Sequence, residues 1–383
     1  MLGLNVIDML TPGSLIRNKP VFKLNQPDDS DKFHSLPAPS GPYPYRLSLS
    51  SVLKESANDK LVMHMVGDTG SVRNTDFQKV VVAKMTEQFK EADNGEEKPM
   101  FLYHLGDIVY NFGEAAEYPR QFFEAYSQYP APIFAIAGNH DSDVNPLTAD
   151  PYSSLQAFCS VFCDTEPREI AFCRDHKRVS SVQPNVYWTL ESPLVTIIGL
   201  HSNVPKYGII TQEQREWFVK ELRHAAEFPD KALFVCLHHA PYSADINHGS
   251  SYPMIELLEG AFKEADVIPD MVFSGHVHNY QRFIKSYEEK KVTYIVAGAG
   301  GYDELHPIAD PADKAFSDQS PFFENILLQN YCFKQHGFLK LSIEKVDMKL
   351  QVRGNYYTIP HHTSTESDGK ASLFETFDVT IDR

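Results

Sequence analysis

Leu61-Val62-Met63-His64-Met65-Val66-Gly67-Asp68-Thr69-Gly70 is the stretch from which the fold can be read: six residues suited to a buried strand, then a carboxylate set between two glycines. The construction recurs. Phe101-Leu102-Tyr103-His104-Leu105 runs into Gly106-Asp107-Ile108-Val109-Tyr110, and Ile133-Phe134-Ala135-Ile136-Ala137 runs into Gly138-Asn139-His140-Asp141. A short apolar run that breaks at a glycine and then presents a polar side chain is how a buried parallel strand delivers a functional group to the edge of a sheet. Taken alone, a Gly-Asp pair is an ordinary Asx turn. Three such endings in succession exceed what turn chemistry requires.

Outward from these strands the pattern alternates. A helix is expected over 76–91 and another over 114–128, and strands over 61–66, 100–105 and 133–137, the order that builds a parallel sheet. Beyond a less regular segment at 141–184, strands are expected at 186–190 and 195–200. A helix then opens at Thr211, with Gln214 three residues on as a capping box. A strand over 232–237, a helix over 253–265 and a strand over 270–273 continue the alternation. The style then turns to β: 282–288, a turn at 289–291, 292–297, a glycine cluster at 298–301, and later 337–344, 348–356 and 372–381. Consecutive β signals without helices between them imply hairpins and a second sheet. The expected fold is therefore α/β, an α+β sandwich of two mixed sheets packed face to face and flanked by helices in four layers. Residues 1–57, rich in Pro, Ser, Asn and Asp, read as an extended arm ending in a strand at 45–53, with a disordered tail as the alternative. Residues 58–383 read as one catalytic domain in which 141–184 forms a lid or insert.

With 51 acidic and 35 basic side chains the chain carries a formal charge of -16. Its far field repels nucleic acid and anionic membranes, so neither is an expected partner. The first residues lack a basic segment and an apolar core, and no run approaches a membrane span, so a cytoplasmic location is expected. Five cysteines, Cys159, Cys163, Cys173, Cys236 and Cys332, read as free thiols. Cys159, Cys163, Cys173 and His176 are the spacing that a structural zinc would use. Free buried thiols explain them without an added ion.

Two further stretches carry metal-type donors, Val235-Cys236-Leu237-His238 and Gly275-His276-Val277-His278. Two carboxylates meeting in a cleft repel, and one pKa rises unless cations lie between them. Asn139 adds a neutral oxygen and His238, His276 and His278 add imidazoles, a mixture suited to Zn, Mn or Fe rather than Ca. His276 and His278 would face two metals or one. His239 is the alternative to His238, while His64, His104 and His201, in or beside strands, read as hydrogen-bonded core residues.

In their order and internal spacing the five stretches resemble the motifs of the calcineurin-like metallophosphoesterase superfamily, and specifically its purple acid phosphatase branch. The resemblance implies one metal held by Asp68, Asp107, Tyr110 and His278 and a second by Asp107, Asn139, His238 and His276, with Asp107 bridging. Most members carry a histidine two residues after the first Asp. Gly70 stands there in this chain, and Tyr110 would replace that ligand as a hard anionic donor suited to ferric iron. The implied cofactors are thus two metal ions, Fe with Fe, Zn or Mn. The implied reaction is hydrolysis of a small phosphate monoester by direct attack of metal-bound hydroxide. His140 resembles the family's outer-sphere proton donor, with Asp141 orienting it, and His248 falls where a substrate-facing histidine is placed. Tyr280 and Arg282 match residues that brace the last ligand loop. A phosphodiesterase acting on small diesters or cyclic nucleotides is the alternative enzyme. A metal-binding module without hydrolysis is the reading from another class, and the complete ligand set argues against it. The glycines at 298–301 lack the Lys-Ser/Thr of a P-loop and read as a turn beside the metal loops.

Overall fold

The computed structural model describes residues 18–53, 58–92, 97–288, 290–347, 349–361 and 369–382. Residues 1–17 and 54–57 of the expected arm, Glu289 of the expected turn and Met348 at the start of an expected strand lie outside them. The segment 18–53 contributes two short strands, β1 (Phe22–Lys23) and β2 (Arg46–Ser48). The strand expected over 45–53 is cut to three residues because Leu49–Ser51 coils into a 3-10 turn.

The alternation then follows. β3 (Lys60–Val66) leads to α1 (Asp76–Glu91), whose Val80, Val81, Val82 and Met85 are buried, and β4 (Phe101–His104) comes next. A continuous helix over 114–128 does not form. Ala115–Glu117 is a 3-10 turn, Pro119–Phe123 a π-type turn and Glu124–Tyr126 a single α-turn, α2. Pro119 has no N–H to give the ladder, and the Gln121 side chain turns inward to bond both the N–H and the carbonyl of Tyr110, at 2.9 and 2.7 Å. β5 (Ile133–Ala135), α3 (Asn139–Ser142) and α4 (Gln156–Phe162) follow. The 141–184 segment then covers the open edge of β5, where the Gln183 amide bonds both the N–H and the carbonyl of Ala135.

β6 (Trp188–Glu191), β7 (Val195–Gly199), α5 (Gln212–Ala226), β8 (Ala232–Cys236), α6 (Tyr252–Ala265) and β9 (Met271–Ser274) continue the pattern. Thr211 Oγ1 caps α5 by accepting from Gln214 N at 3.2 Å. The reciprocal half of the capping box is absent, since the Gln214 side chain bonds the backbone of His201 instead. The β-rich end comprises β10 (Tyr280–Ser286), β11 (Lys291–Ala297), β12 (Phe316–Ser317), β13 (Ile326–Cys332), β14 (Gln335–Val346), β15 (Lys349–Pro360) and β16 (Ser372–Ile381).

Two large mixed sheets result. One has the order β16-β15-β14-β3-β4-β5 and the other β13-β10-β11-β9-β8-β7-β6-β2, while β1 and β12 form a separate pair. β3, β4 and β5 run parallel, as do β7, β8, β9 and β11. The sheets meet through aromatic side chains: Trp188 of β6 lies 6.0 Å from Tyr103 of β4 and 5.7 Å from Phe134 of β5, ring centre to ring centre. Trp188 is fully buried and its Nε1 donates to Ala135 O. Truncating it to Ala would cost about 3–5 kcal/mol. α1 packs on β14 at the outside of one sheet, and α5 packs on β7 and α6 at the outside of the other. This is the flanked sandwich expected from the sequence. It brings the C-terminal ends of parallel strands from both sheets to one rim.

Candidate metal centre

Each expected ligand sits just past one of those strand ends: Asp68 after β3, Asp107 after β4, Asn139 after β5, His238 after β8, and His276 with His278 after β9. Backbone bonds splice the loops together. Asp68 N donates to Gly106 O at 2.9 Å, Thr69 N to Asp107 O at 3.1 Å, and Gly275 N to His238 O at 3.0 Å. Gly67 N donates to Ala297 O and Gly300 N to Gly67 O, so the 298–301 glycines close against the first loop as a turn. Asp68, Asp107 and His276 all hold left-handed backbone conformations, with φ of 58°, 55° and 67°. Side chains seldom adopt that region, and its concentration at three ligand positions marks a functional constraint.

The side chains converge in two groups. In the first, His238 Nε2 lies 3.1 Å from Asn139 Oδ1 and 3.3 Å from Asp107 Oδ2, and His276 Nδ1 lies 2.9 Å from Asn139 Oδ1. Asp107, His238 and His276 each offer a donor atom within 4.8 Å of the others, an arrangement that fits one ion. In the second group the Tyr110 hydroxyl lies 3.2 Å from His278 Nε2 and 3.5 Å from Asp68 Oδ1, with His278 Nε2 and Asp68 Oδ1 3.7 Å apart. Asp107 also borders Tyr110 and so stands between the groups. Of these seven side chains all but Asn139 are buried.

Two imidazoles have their tautomers set from behind. His238 Nδ1 must donate to Leu105 O at 2.8 Å and His278 Nδ1 to Glu304 O at 3.0 Å, since a carbonyl only accepts. That leaves both Nε2 lone pairs aimed into the cluster, as metal-binding histidines require. Gly70 is explained by the same packing. A Cβ there would meet the Ile108 carbonyl and come within 2.6 Å of Gln121 Oε1, so no side chain fits.

Without cations the cluster holds protons in their place. Burial, with repulsion from Asp107, raises the Asp68 carboxyl well above its usual range despite the attraction of His238. Burial and both carboxylates likewise raise the Tyr110 phenol. Burial would lower His238, yet the Asp107 carboxylate outweighs it and pushes the imidazole up to about 9. Burial and neighbouring histidines hold His276 and His278 well below their ordinary value. Bound cations would replace these protons, so metal uptake would release them. The donor set therefore fits a pair of ions: carboxylates, a phenol, an amide oxygen and three imidazoles.

His140 is half-buried over this cluster, its ring 4.3 Å from that of Tyr110 and its Nδ1 donating to Asn111 O at 2.9 Å. Asp141 does not orient it. The buried Asp141 carboxylate instead accepts from the amides of Ile108, Val109 and Gly138 at 2.9–3.0 Å, clamping the Asp107 loop to the Asn139 loop. Burial and the Asp107 charge push it up to about 6. His248 sets its ring 4.2 Å from that of His276, tilted by 50°, with its Nδ1 buried and unpartnered. His239 packs its ring 4.3 Å from that of His276 but commits Nδ1 to Ser202 Oγ at 2.7 Å, and it is His238 whose Nε2 reaches Asp107. His64 and His104 are bonded core residues, to Tyr129 and Gln88 and to Thr69. His201 is buried beside the backbone of Ala137, and burial lowers its imidazole to about 4. Tyr280 and Arg282 both bind Glu375 of β16 and do not enter the cluster.

Among the described residues, Cys159, Cys163, Cys173 and His176 do not gather as a metal site, and His176 packs against Phe123. Sequence reasoning missed Gln121, which holds Tyr110, and the trio Tyr302, Glu304 and His306 around His278. Tyr302 lies 4.3 Å from the His278 ring and His306 4.2 Å. Their stretch carries no strand period, and only the glycine turn before it pointed to the site. Among the described residues, no helix is long and apolar enough to cross a membrane.

A family model described as calcineurin-like phosphoesterase matches residues 63–280. A probable glycerophosphodiester phosphodiesterase, GpdQ of Arcobacter nitrofigilis, is 28% identical over 193 residues, 49% of this chain and 59% of that protein. Fe(3+)-Zn(2+) purple acid phosphatase 12 of Arabidopsis thaliana is 26% identical over 260 residues, 61% of this chain and 51% of that protein. The chain thus spans less than two thirds of either relative. Among solved structures, GAP50, the anchor in the inner membrane complex of Plasmodium, superposes with a TM-score of 0.53 at 13% identity over 85% of this chain and 90% of that one. PhoD superposes at 0.50 and 13% identity over 91% and 72%. Likeness at that identity speaks for the fold alone. With the family match spanning more than half its length and purple acid phosphatases among its relatives, the chain belongs to the calcineurin-like phosphoesterase family and stands with its purple acid phosphatase-like members.

Proposed function

We propose that this chain hydrolyses small phosphate monoesters at a dinuclear metal centre held by Asp68, Asp107, Tyr110, Asn139, His238, His276 and His278. The observation that carries this reading is the pair of donor groups on either side of Asp107, one of which contains the Tyr110 phenol. When bound, two cations would acidify a water and offset the charge on the phosphoryl oxygens. A phenolate favours ferric iron, so the expected pair is Fe with Fe, Zn or Mn.

The chain's own groups supply the rest. The Asn111 carbonyl occupies His140 Nδ1, which leaves Nε2 as the atom that exchanges a proton with the leaving oxygen. His248 brings a ring nitrogen with no protein partner to the opposite side of His276, where a phosphoryl oxygen would satisfy it. Asp141 holds the Asp107 and Asn139 loops in register and takes no part in proton transfer. A second reading rests on the likeness to a probable glycerophosphodiester phosphodiesterase: the same metal pair would serve a small diester. Turnover of a nitrophenyl phosphate against its bis-ester by the metal-loaded chain separates the two. Preference for the monoester supports the proposal, and preference for the bis-ester replaces it with the diesterase.

A further inference from the structure

His248 has no strand of its own to hold it, and the way its loop is fastened carries an inference that rests on the proposed phosphatase reading. Asp245, wholly buried, gathers that loop around its carboxylate. Oδ1 accepts from His248 N at 3.0 Å and Gly249 N at 2.7 Å, and Oδ2 accepts from Asn247 N at 3.0 Å. The same Oδ2 lies 3.3 Å from His306 Nδ1. His306 in turn stacks on the ligand candidate His278, 4.2 Å away at 25°, and its backbone N donates to His278 O at 3.0 Å.

The loop is closed from two further sides. Ala309 N donates to Ala244 O and Ile246 N to Pro307 O, so the chain around His306 runs antiparallel beside it. On the other side β1 lies across it. Val21 N donates to Ser243 O, Ser250 N to Val21 O, and Gly249, at φ 68°, sits so close that a Cβ would come within 3.0 Å of Val21 O. A carboxylate with three amides and an imidazole around it is a rigid hub, because its charge strengthens each bond and burial removes competing water. It is spent on a loop whose one ring side chain, His248, lies against His276.

We propose that Asp245 is a positioning residue, which fixes His248 against the metal cluster and, through His306, ties the His248 loop to the loop of His278. His248 then meets the substrate phosphate at a set distance from the metals, without needing to order itself on binding. The residues around Asp245 and His306 become part of the substrate-binding apparatus although neither needs to touch substrate.

The test uses the metal-loaded full chain with Asp245→Asn, His248→Ala, the double variant, and His306→Phe, which keeps the ring on His278 but removes the nitrogen facing Asp245. Three quantities are read: metal content, KM and kcat on a nitrophenyl phosphate, and hydrogen exchange of the 245–249 amides. Asp245→Asn is expected to retain its metals, to expose those amides to exchange, and to raise KM about tenfold with a smaller change in kcat. His306→Phe should raise KM in the same direction. The double variant should be no worse than His248→Ala alone, since the two act through one contact. Additive losses in the double variant, unchanged exchange at 245–249, or loss of metal as the main effect would each overturn the proposal. A metal-loaded wild type that turns over no phosphate ester would defeat the phosphatase reading itself, and the exchange measurement would still decide whether Asp245 fixes the loop.

Discussion

Gly275→Ala is the smallest change that should dismantle the site. A Cβ on Gly275 would lie 2.5 Å from Asp68 Oδ2, 3.3 Å from Leu105 O and 3.4 Å from His238 Nδ1. Its backbone is outside the left-handed region, so the penalty is steric and falls first on the Asp68 carboxylate. To restore a 3.0 Å separation that oxygen must retreat by at least 0.5 Å, the difference between the two distances. The same oxygen accepts from His276 N at 2.9 Å, a bond that fixes the strained residue at the head of the last ligand loop. Overpacking of this kind costs about 1–3 kcal/mol, and a weakened amide bond to a charged group falls in the same range. The expected outcome is a metal-free protein about 2 kcal/mol less stable to urea, and metal binding weakened about 10–100-fold in competition with a chelator. Gly260→Ala supplies the control, because it lies within α6 and a Cβ there meets only Arg215 at 3.7 Å. It should stabilise by about 0.5–1 kcal/mol and leave metal affinity untouched. Wild-type metal affinity in Gly275→Ala would refute the placement of Asp68 and the argument built on it.

Three further outcomes follow from the geometry. Tyr110→Phe should abolish the broad visible charge-transfer band expected of an iron-loaded wild type while leaving the fold intact, as absorbance and circular dichroism would register; a retained band would remove Tyr110 from the ligand set. Asp141→Ala leaves the amides of Ile108, Val109 and Gly138 without an acceptor, so it should cost about 3 kcal/mol or more in urea denaturation and shed metal. Residual activity should keep the wild-type pH profile, whereas an altered profile would restore Asp141 to proton transfer. Burial holds His64 at about 3, well below an unfolded value near 6.5, so the unfolded chain binds the extra proton as pH falls below 6.5. Stability is therefore lost on acidification, by about 2 kcal/mol for this residue between pH 7 and pH 5. Denaturation of His64→Phe at both values should show the pH dependence reduced by that amount.

The strands that build the rim were legible because each combines an apolar run with a glycine and a polar residue: 61–66, 101–105 and 133–137 fall on β3, β4 and β5, and 76–91 falls on α1 residue for residue. The metal donors were legible for the same reason. What the sequence hid depends on partners distant along the chain. β1, β12 and β13 are short or exposed strands with little period of their own, set by pairing with neighbours. The 114–128 segment has helical spacing, but Pro119 and the pull of Gln121 toward Tyr110 break it. Asp141 reads as a partner for its neighbour His140 until the amides of the Asp107 loop are seen to claim it. His306 and Asp245 are isolated polar residues in loops, and their meeting at 3.3 Å follows from the pairing of two segments some sixty residues apart.

Anomalous diffraction from crystals of the iron- and zinc-loaded chain tests the central claim most directly. The account predicts two peaks flanking the Asp107 carboxylate, one among Asp68, Tyr110 and His278 and the other among Asn139, His238 and His276. A fully loaded, phosphatase-active chain with its ions elsewhere, or with one ion that does not touch Asp107, would contradict it.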